Sequence, residues 1–190
     1  FMISKLDIRK HEKYLKEKVF FVNSKWPQFD ILFKDINKIS KSINKNTNIL
    51  SIERGGLYGN ISLLAPLFYK GKFYSIDCSG SNIKSRKAYN KHLINNKEII
   101  KIKIDEHQFH QNLKAKKNFY DLIIIPNLIH HIDEHDELIK KCKSFLRRNG
   151  KIYIFDAILR ELHQEPDDFL RFTPYGLKKK LEKYGFKVLK

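Results

Sequence analysis

From residue 48 to the end of the chain, short β-rich runs alternate with stretches of helical spacing, and this alternation constrains the fold more than any other feature. Ile49-Leu50-Ser51-Ile52, residues 72–77, 99–104, 119–125 and 151–158 read as five strands. The run 119–125 is almost continuously apolar, as expected of a central strand covered on both faces. Residues 60–69, 81–93 and 133–148 read as helices between these strands. The last of them places Leu138, Ile139, Cys142, Phe145 and Leu146 on one face, and Asn149-Gly150 is expected to stop it. Thr173-Pro174 reads as an N-cap followed by proline at the first helical position. That helix is expected to run to about Tyr184, to end at Gly185 and to lead into a sixth strand over 186–189.

Strands alternating with helices imply parallel βαβ units with right-handed crossovers. The expected fold is therefore α/β: a Rossmann-like, doubly wound, mostly parallel sheet with helices on both faces. In such sheets ligands bind outside the carboxyl ends of the strands. The residues that follow each strand, 53–59, 77–79, 105–107, 126–131 and Asp156 onward, are thus the ones to interrogate for chemistry. Ahead of the sheet, 3–18 reads as a charged helix. Phe29, Leu32, Phe33, Ile36, Ile39 and Ile43 recur at helical spacing. The expected division is a helical extension over 1–47 and a sheet domain over 48–190.

Composition narrows the classes. The net charge of +17 would by itself point to nucleic acid or an acidic surface. Only 7 of the 38 basic residues are Arg, however, and Ile and Asn are abundant alongside Lys. Bidentate phosphate or guanine recognition favours Arg, so the charge reads chiefly as compositional bias. Apolar runs such as Leu122-Ile123-Ile124-Ile125 are too short to span a bilayer. The first residues carry mixed charge without the apolar stretch of a secretory signal. Two cysteines, Cys78 and Cys142, make no disulfide framework and suit a reducing cytoplasm.

The strand ends, taken with one long motif, resemble class I S-adenosylmethionine-dependent methyltransferases. The motif is His163-Gln164-Glu165-Pro166-Asp167-Asp168-Phe169-Leu170-Arg171-Phe172-Thr173, followed by Gly176-Leu177 and Gly185-Phe186. It is similar to a His-x-x-Pro-x-Asp-Phe-x-Arg-Phe-Thr segment that follows the fifth strand in one subgroup. The run Phe119-Tyr120-Asp121-Leu122-Ile123-Ile124-Ile125-Pro126-Asn127, with His130-His131 beyond it, resembles the family's fourth strand and the loop after it. The glycine loop departs from the usual Leu-Asp-x-Gly-x-Gly-x-Gly. With Leu50 aligned, Ser51 falls at the acid, Glu53 at the first glycine and Gly55 at the second, while Gly56 and Gly59 stand at shifted positions.

The resemblance implies S-adenosyl-L-methionine as cofactor, held by Glu53, Gly55, Gly56, Gly59, Asp77, Cys78, Asp105, Glu106, Pro126 and Asn127. Glycines let the backbone approach a ligand closely. An acid ending the second strand, here Asp77, can accept hydrogen bonds from both ribose hydroxyls, as the analogous acid does in dinucleotide folds. Asp105, Glu106 or His107 would meet the adenine edge. Methyl transfer is an in-line displacement that needs alignment, and a hydroxyl acceptor also needs a base. His130, His131 and His163 are the candidates, because imidazole titrates near neutrality. His130 or His131 could equally pack or cap the helix that begins near Asp133.

Acids and histidines at 131–136 lack a zinc-binding spacing and suit a helix start instead, so no metal is expected. Asp168 and Arg171 are spaced for an ion pair; the motif around them is either architectural or lines an acceptor pocket. The leading reading is transfer to a small-molecule or glycan acceptor. The alternatives are an RNA or protein methyltransferase and a methyltransferase-like binding module without catalysis. No Asn-Pro-Pro-Tyr-like motif follows the fourth strand, which argues against methylation of base amino groups. The family sheet normally closes with a seventh strand beside the fifth, for which the sequence beyond 189 leaves no residues. The expectation is a truncated product, or a sheet completed by a partner or by self-association at the open edge.

Overall fold

The computed structural model describes residues 27–53, 71–77, 102–103, 113–159, 162 and 168–189. The expected helices at 3–18, 60–69 and 81–93 lie outside these residues. Helix α1 (Pro27–Ser40) precedes β1 (Asn48–Glu53), β2 (Lys72–Asp77), β3 (Ile102–Lys103) and β4 (Tyr120–Pro126). A 3-10 turn (Ile129–His131), helix α2 (His135–Phe145), β5 (Leu146–Phe155) and helix α3 (Pro174–Lys183) follow. The strands form one sheet in the order β3-β2-β1-β4-β5, and every pairing is parallel. The expected α/β doubly wound sheet is therefore present.

Strand alternation decides which helix covers which face. Leu50, Ile52, Tyr74, Ile76, Ile123 and Ile125 pack in one cluster with Leu138, Cys142 and Phe145 of α2. Burial pushes the Cys142 thiol up to about 12, so it packs as a small apolar group. The opposite face carries Ser51, Ile124 and Tyr153, which are cross-strand neighbours. Helix α1 lies on that side: the Tyr153 hydroxyl donates to Asp35 Oδ2 at 2.7 Å. Leu32 and Ile36, one turn apart on α1, are both fully buried.

The amino ends of three strands are tied together through Asp121. Its Oδ2 accepts from the Asn48 backbone N–H at 2.8 Å, and its carboxylate pairs with Arg147 on β5. The Asn48 side chain also donates to the Phe119 carbonyl at 3.2 Å. The carboxyl ends carry a separate set of polar contacts, and the candidate site lies there.

Two local expectations are corrected. Asn149-Gly150 does not stop a helix; α2 ends at Phe145, and both residues lie within β5. Leu146 is buried opposite Tyr120, and the β4–β5 register then shifts before Leu122 meets Lys151. Asn149 takes up the irregularity with φ +65°. A Cβ on Gly150 would stand 2.9 Å from the carbonyls of Arg147 and Tyr120, so this bulge excludes any side chain there. Residues 186–189 form no strand: Phe186 packs against the core while Lys187, Val188 and Leu189 are exposed. The end of α3 is as expected, with Gly185 at φ +75°.

Because α1 seals one face of the sheet, Ile36→Ala should lower the unfolding free energy by about 2–5 kcal/mol within a single transition. Chemical denaturation monitored by circular dichroism measures this. An unchanged midpoint would mean that α1 is an appendage and not part of the core.

Candidate functional site

β1 and β4 flank the point where the strand order reverses, which is where open α/β sheets bind ligands beyond the carboxyl ends of their strands. Glu53 and Asp77 end β1 and β2 as Cα partners, and Pro126 and Phe155 end β4 and β5 in the same way. Four of the strand ends singled out in the sequence therefore meet along one edge of the sheet. Glu53 is fully buried, and the Ser75 hydroxyl donates to its Oε1 at 3.2 Å. Ser51, which stands where the resemblance expects an acid, is also fully buried two residues back on the same face. The carboxylate of β1 is thus carried toward the ligand end of the strand.

Asn127 turns the chain off β4. Its φ of +47° is a left-handed conformation that asparagine tolerates. Its N–H donates to the Phe155 carbonyl at 2.7 Å, which carries the β4–β5 ladder one step further. The 3-10 turn follows at once, and all three of its residues are buried.

His130 is 1% exposed. Its Nδ1 lies 2.5 Å from Asp156 Oδ1, and its backbone N–H donates to Asp156 Oδ2 at 3.2 Å. The Ala157 N–H donates to Asp156 Oδ1 at 2.7 Å. The His131 ring stands 3.9 Å from that of His130, centroid to centroid. The Phe169 N–H donates to the His130 carbonyl at 2.8 Å, so the segment after β5 is fastened to the loop after β4.

Beside this junction, Ile158, Leu159, Leu162, Phe169 and Leu170, with the Asp168–Arg171 pair, line an open pocket of about 180 Å³. Arg171 Nη2 donates to Asp168 Oδ2 at 2.7 Å and Nη1 to Oδ1. The pocket is therefore apolar around a neutralised ion pair. Ile158, Leu159, Leu162, Phe169 and Leu170 are all at least 44% exposed, an unusual concentration of apolar surface. Among the described residues no three His, Cys, Asp or Glu side chains converge on a point that would hold a metal ion.

The sequence marks His135 only as one of the acids and histidines at 131–136. It braces the turn instead, with Nε2–H donating to the Ile129 carbonyl at 3.0 Å and its ring edge-on to Phe172. Asp156 was noted only as the acid after the fifth strand; the signal that marks it is its place at the end of an apolar run. The two contacts that define these residues join segments far apart or in separate elements, and no local spacing encodes them. Gly55, Gly56, Gly59, Cys78, Asp105, Glu106 and His163 lie outside the described residues.

Burial holds the pKa of His135 below the usual histidine value, against the opposing pull of the Ile129 carbonyl. A lowered native pKa means that the unfolded chain takes up the proton first as pH falls. This contribution to stability is complete above about pH 6.5 and is lost below it. Unfolding free energies measured between about pH 7 and pH 5 should fall less steeply for His135→Gln than for the parent chain. Equal slopes would remove His135 as the group responsible.

The family described as "Methyltransferase domain" matches residues 54–154. A SAM-dependent methyltransferase from Aquifex aeolicus is 18% identical, with a TM-score of 0.63; the alignment covers 98% of this chain and 92% of that one. The [4+2]-cyclase SpnF is 14% identical, with a TM-score of 0.65 over 85% of this chain and 59% of that one. Phosphoethanolamine N-methyltransferase 2 of Haemonchus contortus, solved with S-adenosyl-L-methionine, is 15% identical, with a TM-score of 0.60; it covers 93% of this chain, which spans 44% of it. No curated protein matches the sequence.

Proposed function

The chain belongs to the methyltransferase domain family, and from that premise we propose that it transfers the methyl group of S-adenosyl-L-methionine to a small-molecule or glycan acceptor. The observation that carries this reading is the reversal of strand order between β1 and β4, with the paired ends Glu53 and Asp77 on one side and Pro126-Asn127 on the other.

These residues fit the donor. A fully buried carboxylate on Glu53 suits a cationic or hydroxyl-bearing ligand, and an acid ending β2 suits a ribose diol. The donor supplies a methyl group activated by a sulfonium charge. Glu53 and Asp77 hold polar groups at the β1–β2 edge, and Pro126-Asn127 form the facing wall. Gly55, Gly56, Gly59, Cys78, Asp105 and Glu106 belong to the same reading as further donor contacts. His130 takes the proton of a hydroxyl acceptor, with His131 and His163 as further candidates. The apolar pocket beside His130 supports an acceptor that presents an apolar face, such as the C–H face of a sugar ring or a small aromatic.

The glycine spacing favours a second reading, a binding module on the same fold, and one measurement separates the two. Isothermal titration with S-adenosyl-L-methionine should show binding, and Asp77→Ala should weaken it at least about tenfold, or about 1.4 kcal/mol. No heat at millimolar ligand would leave only the binding module. Binding that is unchanged in Asp77→Ala would remove the ribose assignment.

A further inference from the structure

The segment 168–173, which leads into α3, is packed in reverse of the ordinary order. The Asp168 side chain is 2% exposed and that of Arg171 18%, while Phe169 and Leu170 between them are 49% and 44% exposed. We propose that the pocket these residues line with Ile158, Leu159 and Leu162 is a hydrocarbon subsite, and that the acceptor carries an alkyl chain or an aryl ring beside its reacting group. This rests on the transferase reading and narrows its acceptor from any small molecule or glycan to one that bears hydrocarbon.

Burying a charge pair and exposing hydrocarbon runs against the transfer energies of both kinds of group. A segment that never meets a ligand gains by the opposite arrangement. The backbone prevents this one from turning over. The Phe169 N–H is fixed to the His130 carbonyl at 2.8 Å, and Thr173 caps α3 through the Gly176 N–H at 3.1 Å. Asp168 and Arg171 are locked by a two-pronged hydrogen bond, Nη1 to Oδ1 and Nη2 to Oδ2. Phe169 and Leu170 are therefore held outward. The same pocket collects Ile158, Leu159 and Leu162, at 48%, 92% and 71% exposure. Five of the nine exposed large apolar side chains among the described residues thus meet at one place, whereas ordinary surface hydrophobics are scattered singly.

The walls select the ligand. A sugar hydroxyl buried against a wall needs a hydrogen bond there, or it loses those it made with water. Among the described residues the polar side chains lining this pocket are Asp168 and Arg171, which bond each other and engage further partners. Recognising a hydroxyl would mean breaking a charge-assisted, two-pronged pair. Hydrocarbon needs no such bond and gains by leaving water. The volume of about 180 Å³ is close to that of an apolar cavity of about 150 Å³ that takes benzene. The pocket therefore fits one ring or several methylenes, and its open side leaves room for a polar head. A stable protein interface draws on about 20–30 residues from each partner; five apolar side chains around a hollow suit a small molecule. Ile158 lies just beyond the end of β5, and Phe169 is bonded to the turn after β4. The pocket thus stands beside the carboxyl edge of the sheet, where ligands bind in such folds.

Two probes with the same sugar separate hydrocarbon from glycan: octyl β-glucoside, kept below its micelle concentration, and methyl β-glucoside. Titrated calorimetrically into the full chain, the octyl compound should bind and the methyl compound should not. Leu159→Ser and Leu162→Ser change exposed side chains outside the core, so the melting temperature should hold. Each should weaken octyl binding at least about fivefold through the apolar contact removed. Octyl binding at unchanged affinity in both variants overturns the proposal. So does equal binding of the two glucosides, or no octyl binding at millimolar probe. A dimer in sedimentation velocity that dissociates in Leu159→Ser overturns it too, because a second copy would then be what covers these side chains. Titrating the same samples with S-adenosyl-L-methionine keeps the two readings apart. Octyl binding without donor binding sinks the transferase reading alone. Donor binding without octyl binding sinks only the hydrocarbon subsite.

Discussion

The structure depends on β4 being paired on both edges and buried on both faces. Six of its seven residues are buried, and parallel ladders join it to β1 and β5. A parallel strand in that position has no solvent face, so helices must cover both sides. Helix α2 meets Ile123 and Ile125, and α1 covers the side of Ile124. Each methylene removed from water along β4 contributes about 0.8 kcal/mol. The interior stretch of apolar side chains therefore outweighs any local preference nearby, and the surrounding elements take their register from it.

That dominance explains how the two ends of the sheet differ. At the amino ends, Asp121 gathers Asn48 and Arg147, so charge there serves assembly. At the carboxyl ends, the polar groups lie on the last strand residues and in the turns beyond them: Glu53 with Ser75, Asn127 with the Phe155 carbonyl, and His130 with Asp156. A buried polar group is costly unless it is hydrogen-bonded. Several such groups along one edge of a sheet are the mark of a site, since a purely structural edge could be apolar. The +17 charge gives no comparable information, because among the described residues the lysines that carry it are nearly all exposed.

What could be read in the sequence was what short-range chemistry encodes. The apolar runs placed β1, β2 and β4. Thr173 caps α3 by accepting from the Gly176 N–H at 3.1 Å, and Asp168 pairs with Arg171, both at a spacing of three residues. Asn149-Gly150 misled because the same dipeptide suits a helix stop and a bulge. Only the pairing of Leu146 with Tyr120 on another strand decides between them. The strand expected at 186–189 failed for a related reason: its β-rich residues lie exposed without a neighbour among the described strands, and β-propensity without a partner is weak. Asp156 stands in the sequence only as the residue after the fifth strand, because its meaning comes from His130, 26 residues earlier in the chain.

The departure at the glycine loop and the buried acid of β1 have one physical explanation. Successive residues of a strand face opposite sides, so moving a carboxylate from position 51 to position 53 keeps it on the same face. It also carries the carboxyl group about 6–7 Å along the strand, toward the carboxyl edge. Glutamate occupies the place of the first glycine, and serine, small and fully buried, fills the space left behind. A side chain there takes up the room that glycine would leave for close backbone approach. The sheet tolerates the exchange because Ser75 on β2 supplies a hydrogen bond at the new depth. The buried acid of β1 is then a carboxyl group set one pleat nearer the carboxyl edge, on the register that β4 imposes.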